Sequence, residues 1–182
     1  MSPKQNGAAA GAPSKKDGGT KAVTFRIPWG VQFFTFALRL AMGWIFLYAG
    51  YHKLRYGFTA EGFLTHATAG PLKDWFVSLG QSQSALNIID PLVMYGQVLI
   101  GGALLLGLFT RFALLMGAAM MFLFYIAQFP PEFDLFLDYY IVYILVFLML
   151  GVLAAGRVWG LDGYLEKNVK LFQAKWLKLL LG

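Results

Sequence analysis

The sequence predicts an all-α integral membrane protein, a four-transmembrane-helix bundle with a long outer loop and a C-terminal amphipathic interfacial helix. Of its 182 residues, 58% are hydrophobic and only 13% are charged, which is too apolar for an ordinary soluble domain. Each transmembrane helix needs about 20 mostly apolar residues. Four stretches meet this length requirement: residues 31–51, 91–109, 112–129 and 138–155.

The remaining segments divide the chain into three parts. Residues 1–22 are rich in Gly, Ala, Pro, Ser and Lys, and they predict a disordered tail. Residues 23–162 form the predicted four-helix membrane domain, whose long outer loop holds two short helices broken at Gly70-Pro71. Residues 163–182 intersperse apolar side chains with lysines, which is typical of a helix lying on a membrane surface.

The distribution of Lys and Arg predicts the orientation. Three basic residues, Lys53, Arg55 and Lys73, fall on one side of the predicted spans. Apart from Arg39, which lies inside the first span, the others fall on the side of the two termini. Because basic residues accumulate on the cytoplasmic side, we expect a multi-pass plasma-membrane protein with both termini in the cytoplasm.

Composition and charge exclude several kinds of function. The net charge of +6 comes from basic residues beside apolar spans, which indicates contact with membrane lipid rather than nucleic acid. The chain has no cysteine, so it forms no disulfide and no thiolate-held metal centre. It has two histidines, His52 at a helix end and His66 in a loop, so neither haem nor a metal ion is expected as a cofactor.

One face of the first helix carries two cations, Arg39 within the span and Lys53 just after it. Its members recur at helical spacing: Arg39, Gly43, Phe46, Gly50 and Lys53. We expect this face to point into the bundle. There an arginine can pair with a carboxylate, satisfy backbone carbonyls, or bind a quinone carbonyl or an anion in a cavity. The alternative is that Arg39 reaches the inner surface, towards Asp162 or Glu166.

Polar side chains in the outer half of the spans suggest a second region. Gln97 and Tyr143 lie there at similar depth and join Arg39 as candidate catalytic residues, although aromatic belts also place tyrosines near an interface. The outer end holds candidate substrate-binding residues, which form a mouth for an anion or for proton exchange: His52, Lys53, Arg55, Asp138 and Tyr139.

Three runs of sequence resemble the DoxX/DoxD family of four-helix membrane proteins. They are R-L-A-M-G-W-I-F-L-Y-A-G-Y-H-K from residue 39, G-A-L-L-L-G-L-F-T-R from residue 102 and G-R-V-W-G-L-D from residue 156. The charges Arg111, Arg157 and Asp162 within these runs are assigned structural roles. Ala-Thr-Ala-Gly-Pro at 67–71 is most similar to DoxD, the membrane subunit of thiosulfate:quinone oxidoreductase.

This resemblance implies a second subunit, a membrane quinone as electron acceptor, and oxidation of thiosulfate to tetrathionate on the outer side. Where many relatives carry a glutamate in the second span, this chain has Gln97, which removes a titratable group. Two alternatives remain open. One is a non-catalytic anchor or assembly subunit of a redox or respiratory complex, and the other is a small transporter or channel.

Overall fold

The computed structural model describes residues 28–131 and 137–169, and within these ranges the regular structure is entirely helical. The predicted tail 1–22, the loop acids Glu132 and Asp134, and the terminal segment beyond Val169 lie outside the described residues. The helices are α1 (Trp29–Tyr56), α2 (Glu61–His66), a 3₁₀ turn (Gly70–Leu72), α3 (Lys73–Gln81), α4 (Gln83–Leu106), α5 (Thr110–Ala127), α6 (Tyr139–Val152) and α7 (Leu161–Asn168).

Three of the helices in the described ranges, α1, α4 and α5, are long and apolar enough to cross a membrane. Helix α6 is equally apolar in character but has 14 residues. Large apolar side chains project outwards from these helices, including Phe34, Leu99 and Leu145. An outward apolar surface of this kind suits contact with lipid, as the composition predicts.

These three helices and α6 pack as two antiparallel pairs, α1 with α4 and α5 with α6, and contacts between α4 and α5 join the pairs. Side chains from all four helices meet in one core, which includes Phe46, Leu104, Leu114 and Phe147. The rings of Phe46 and Phe147 make an edge-to-face contact at 5.2 Å across the bundle. The predicted inward face of α1 is confirmed, because Arg39, Gly43, Phe46 and Gly50 are all buried.

Two helix boundaries differ from the predicted spans. Helix α4 begins at Gln83, well before Pro91, and the hydroxyl of Ser82 caps it by accepting the N–H of Ala85. Helix α6 ends at Val152 instead of continuing to Ala155. The chain then turns through residues 153–160, because the carbonyl groups of Ala155 and Val158 accept hydrogen bonds from the buried side chain of Arg39.

Glycines allow α1 and α4 to approach closely. A Cβ atom at Gly101 would lie 2.3 Å from the backbone nitrogen of Leu47 and 2.7 Å from the carbonyl oxygen of Gly43. A Cβ atom at the neighbouring Gly102 would meet no atom within 4 Å. The contact between the helices is therefore backbone against backbone on one side of α4 only.

We expect Gly101→Ala to destabilise the protein by about 1–3 kcal/mol, because the added methyl group forces α1 and α4 apart. Gly102→Ala is the matched control, and its better helix propensity leaves stability unchanged or slightly higher. Thermal unfolding of the full chain in detergent measures both. Equal stability of the two variants would contradict the close packing of α1 on α4.

Candidate functional site

Arg39 lies at the end of the bundle where α1 begins, and its side chain is fully buried, with 0% exposed. Its Nη1 donates to the carbonyl oxygens of Ala155 and Val158, the second at 2.9 Å. Its Nη2 lies 3.4 Å from the carbonyl oxygen of Trp159, and the guanidinium carbon is 5.2 Å from the Phe36 ring centroid. The turn after α6 thus wraps its carbonyl groups around the cation.

Asp162, in the first turn of α7, is the acidic partner at this end and is also fully buried. Its carboxylate accepts the backbone N–H groups of Phe109 at 2.8 Å and Thr110 at 2.9 Å, so it caps the start of α5. Its own N–H donates to the carbonyl oxygen of Gly107 at 2.8 Å. The negative charge also attracts Arg39 electrostatically.

The backbone around these charges is packed too tightly to admit larger residues. A Cβ atom at Gly156 would lie 2.2 Å from Oδ2 of Asp162. Gly107 ends α4 with a φ of +65°, and a Cβ atom there would be 2.9 Å from Nη1 of Arg39. Both positions therefore require glycine, and the two charges are enclosed by protein atoms. We name Arg39, Asp162 and the carbonyl groups of Ala155, Val158 and Trp159 the Arg39 lock.

The Arg39 lock combines two of the contacts that the sequence predicts for Arg39, backbone carbonyl groups and a carboxylate. Of the two acids considered, Asp162 attracts Arg39 electrostatically. Glu166 instead forms an ion pair with the exposed Arg157, with 2.9 Å between Oε2 of Glu166 and Nε of Arg157. Nε of Arg39 and Oγ1 of Thr110 are buried without a hydrogen-bond partner among the described residues. A catalytic role for Arg39 stays a prediction.

The opposite end of the bundle contains a cavity of about 490 Å³. We name it the Lys53 cavity, because Lys53 brings a positive charge to its wall. Most of the lining is apolar or aromatic and comes from every helix between α1 and α6: Phe58, Phe63, Phe76, Val93, Phe124 and Tyr140 are among the contributors. At a rise of ~1.5 Å per residue along α1, Lys53 lies roughly 21 Å from Arg39.

Two side chains give the Lys53 cavity its polar chemistry. Lys53 is half-buried, and its Nζ lies 5.2 Å from the centroid of the Phe58 ring. Tyr140 is buried, with its ring 6.0 Å from Phe124 and 4.1 Å from Tyr139. An ammonium group in an apolar wall can donate a strong hydrogen bond to a ligand oxygen and stabilise negative charge on it.

Helices α2 and α3 close this end of the bundle. The backbone N–H of Ala60 donates to Oδ1 of Asp90 at 2.7 Å, and the N–H of Ala69 donates to the carbonyl oxygen of Ala127 at 3.0 Å. Leu64 and Phe76 bury against Ala127 in a second small core. The two predicted short helices exist, and they pack on the ends of α4 and α5.

The other candidate catalytic residues lie deeper in the bundle than the Lys53 cavity. Gln97 is buried one helical turn from Val93, and its Oε1 has no hydrogen-bond partner among the described residues. Tyr143 is half-buried and packs against the main core one turn from Tyr139. Both contact the interior of the bundle. Their chemical roles stay predictions.

The five predicted substrate-binding residues have three different environments. Lys53 lines the cavity, whereas His52, Arg55 and Tyr139 are exposed at the same end of the bundle. Asp138 is buried, and its carboxylate accepts the N–H of Tyr139 to cap α6. Asp138 therefore acts as a helix cap, and within the described ranges it forms no hydrogen bond or ion pair with Lys53.

Tyr140 is not among the residues predicted from the sequence, although Tyr140 and not Tyr139 is the buried member of the pair. Tyr140 follows the N-cap residue Asp138 by two positions, and Phe147 and Leu150 continue its buried face. The seven-residue spacing between Tyr140 and Phe147, two helical turns, could therefore have identified Tyr140 as an inward-facing residue. The glycines that enclose the Arg39 lock were not predicted either, because nothing in the local sequence indicates that Gly107 faces Arg39 and that Gly156 faces Asp162.

We expect Asp162→Asn to destabilise the protein by about 3–5 kcal/mol, because the change leaves the buried charge of Arg39 uncompensated. The amide also retains a single acceptor oxygen for two N–H groups. Glu166→Gln is the control, and it should cost at most about 1 kcal/mol because its ion pair is partly exposed. Thermal unfolding and trypsin resistance of the full chain measure the effect. Similar losses in both variants would contradict the Arg39 lock.

A family model described as DoxX matches residues 34–128. The matched segment contains Arg39, Lys53, α2, α3 and α4, and it continues through α5. No curated protein and no solved structure matches the chain. Because the family model covers more than half of the sequence, the chain belongs to the DoxX family of membrane proteins.

Proposed function

We propose that this chain is the membrane subunit of a quinone-linked oxidoreductase of the thiosulfate:quinone type, and that the Lys53 cavity binds the quinone ring. The Lys53 cavity is the observation that carries the proposal. At about 490 Å³ it falls within the usual range for small-molecule sites, and its walls are mainly apolar with few polar groups. Membership of the DoxX family supports a membrane location.

A quinone needs this combination of surroundings. Its ring is flat and apolar, its two carbonyl oxygens accept hydrogen bonds, and its tail prefers lipid. Aromatic side chains such as Phe76 and Phe124 offer surfaces for the ring, and the Lys53 ammonium offers a donor for one carbonyl oxygen. The full enclosure of Arg39 favours a positioning role for that residue over direct contact with quinone.

The reaction balances with quinone as the oxidant. Two thiosulfate dianions join through a new S–S bond and release two electrons, and the quinone takes up two electrons and two protons to become a quinol. Exposed His52 and Arg55 place polar and positive groups beside the cavity end, where they would attract the dianion. Because the chain has no cysteine, we assign the electron relay to direct contact of the substrates or to a second subunit.

The proposal includes four membrane crossings with both termini in the cytoplasm. Helix α6 runs antiparallel to α5, since Gly117 packs on Phe147 and Gly151 faces Leu114. Its ends therefore lie near the two ends of a helix that is long enough to span. The Arg39 lock then lies towards the cytoplasmic side, and the Lys53 cavity lies towards the outer side, where tetrathionate would form.

We expect Lys53→Gln to weaken binding of a short-chain benzoquinone by about tenfold, because a hydrogen bond to a charged group contributes about 1.5–3 kcal/mol. Val93→Phe, which narrows the same cavity, should weaken binding without any change of charge. Lys167→Gln is the matched control, since Lys167 is exposed on α7. Equilibrium titration of the purified full chain gives the affinities, and thiosulfate-dependent quinone reduction is then compared in membranes.

Unchanged quinone affinity in both cavity variants would overturn the assignment of the Lys53 cavity. Loss of thiosulfate oxidation with unchanged quinone affinity would place the effect of Lys53 at the anion. A chain that binds no quinone at all would favour a second candidate, a non-catalytic anchor or assembly subunit. The Arg39 lock favours that candidate, because its buried charges are engaged in holding the fold together.

Gentle purification separates the two candidates further. The oxidoreductase predicts a co-purified redox subunit together with extractable quinone. The anchor predicts a co-purified partner without quinone, and deletion of residues 163–182 should release that partner if the lysine-rich segment is its docking surface.

A further inference from the structure

A groove of about 500 Å³ lies between α5 and α6 on the outside of the helix bundle. It is at the same end of the bundle as the Arg39 lock. Its floor is the buried ring of Phe147, and its rims include Leu115, Leu148 and Val152. These rim residues are 51–85% exposed. The groove therefore opens onto the surface that faces the hydrocarbon of the membrane, and we name it the Arg111 groove.

A glycine keeps the Arg111 groove open. Gly151 lines it from α6, and a Cβ atom there would meet only Leu114, at 3.9 Å. The neighbouring turn of α6 carries larger side chains on both sides of this position. Because glycine has no side chain, the protein does not fill this part of the groove itself. An acyl chain of a lipid can lie there and gain van der Waals contacts with the apolar walls.

Arg111 places a positive charge at the headgroup end of this groove. It sits in the first turn of α5, is half-buried and lines the groove together with Phe112. Within the described residues no acid pairs with it. The nearby acids have other contacts, since Asp162 caps α5 and Glu166 pairs with Arg157.

We propose that the Arg111 groove binds an anionic phospholipid, with the phosphate against the Arg111 guanidinium and one acyl chain between α5 and α6. Two properties of the groove match two properties of that ligand. The cation at one end suits a phosphate, and basic pockets between transmembrane helices bind anionic headgroups in this way. The apolar floor and rims suit a hydrocarbon chain. The proposal does not depend on quinone binding.

The test compares two lipids that share the same acyl chains, phosphatidylglycerol and phosphatidylcholine. The full chain is purified in detergent, mixed with equal amounts of both, and examined by native mass spectrometry. We expect preferential retention of phosphatidylglycerol and a fall of about fivefold in that preference for Arg111→Gln, from the attraction of one cation near the headgroups. Arg157→Gln removes the same charge at the same end and should retain the wild-type preference.

Two further measurements separate the parts of the proposal. A Cβ atom at Gly151 has room, so Gly151→Leu should place its side chain in the groove and lower phosphatidylglycerol retention while Arg111 remains in place. Glycerol 3-phosphate, which has the anion but no acyl chains, should not raise the thermal stability of the full chain, whereas phosphatidylglycerol should.

Several results would overturn the proposal. Equal loss of lipid preference in Arg111→Gln and Arg157→Gln would show attraction to the overall charge of this end. Unchanged retention in Arg111→Gln or Gly151→Leu would remove the groove as the binding site. Equal stabilisation by glycerol 3-phosphate would indicate an anion site without a lipid. Arg111→Lys guards against misfolding, because it keeps the charge and should retain most of the preference.

Discussion

The burial of one guanidinium group in an apolar bundle constrains much of this structure. An ion without partners in such surroundings costs several kcal/mol, so the protein must bring acceptors to it. Arg39 receives the carbonyl groups of Ala155, Val158 and Trp159 and the charge of Asp162. This requirement explains why α6 stops at Val152 and why the following residues turn. Because Asp162 also caps α5 and donates its N–H to Gly107 at the end of α4, these two charged residues together contact the ends of three helices, α4, α5 and α6.

The two ends of α1 consequently have different properties. Around Arg39 and Asp162 the backbone is packed so closely that glycine is required at positions 107 and 156. Around Lys53 the helices separate and enclose a cavity, which α2 and α3 cover. One end of α1 is therefore closely packed, whereas the other end borders the cavity in which we propose that quinone binds.

Sequence patterns predicted the helices well where hydrophobicity dominates. The face of α1 from Arg39 to Gly50 is buried because a continuous helix fixes which residues share a side. Boundaries were less accurate where polar contacts decide them. Ser82 starts α4 before Pro91, and the carbonyl groups that bind Arg39 end α6 early. For the candidate site, Lys53 was found from helix spacing, whereas Tyr140 was missed because its neighbour Tyr139 has the same side chain and a different exposure.

The sequence by itself determined the membrane character, the helical class, the family resemblance and the separation of Arg39 from Lys53, because composition and helical rise require no knowledge of distant contacts. Only the tertiary structure decided which groups meet. It brought Asp162 to the start of α5, turned Asp138 into a helix cap and left a cavity beside Lys53. These outcomes depend on how helices far apart in the chain pack together, and side-chain volume and charge satisfaction control that packing only in three dimensions.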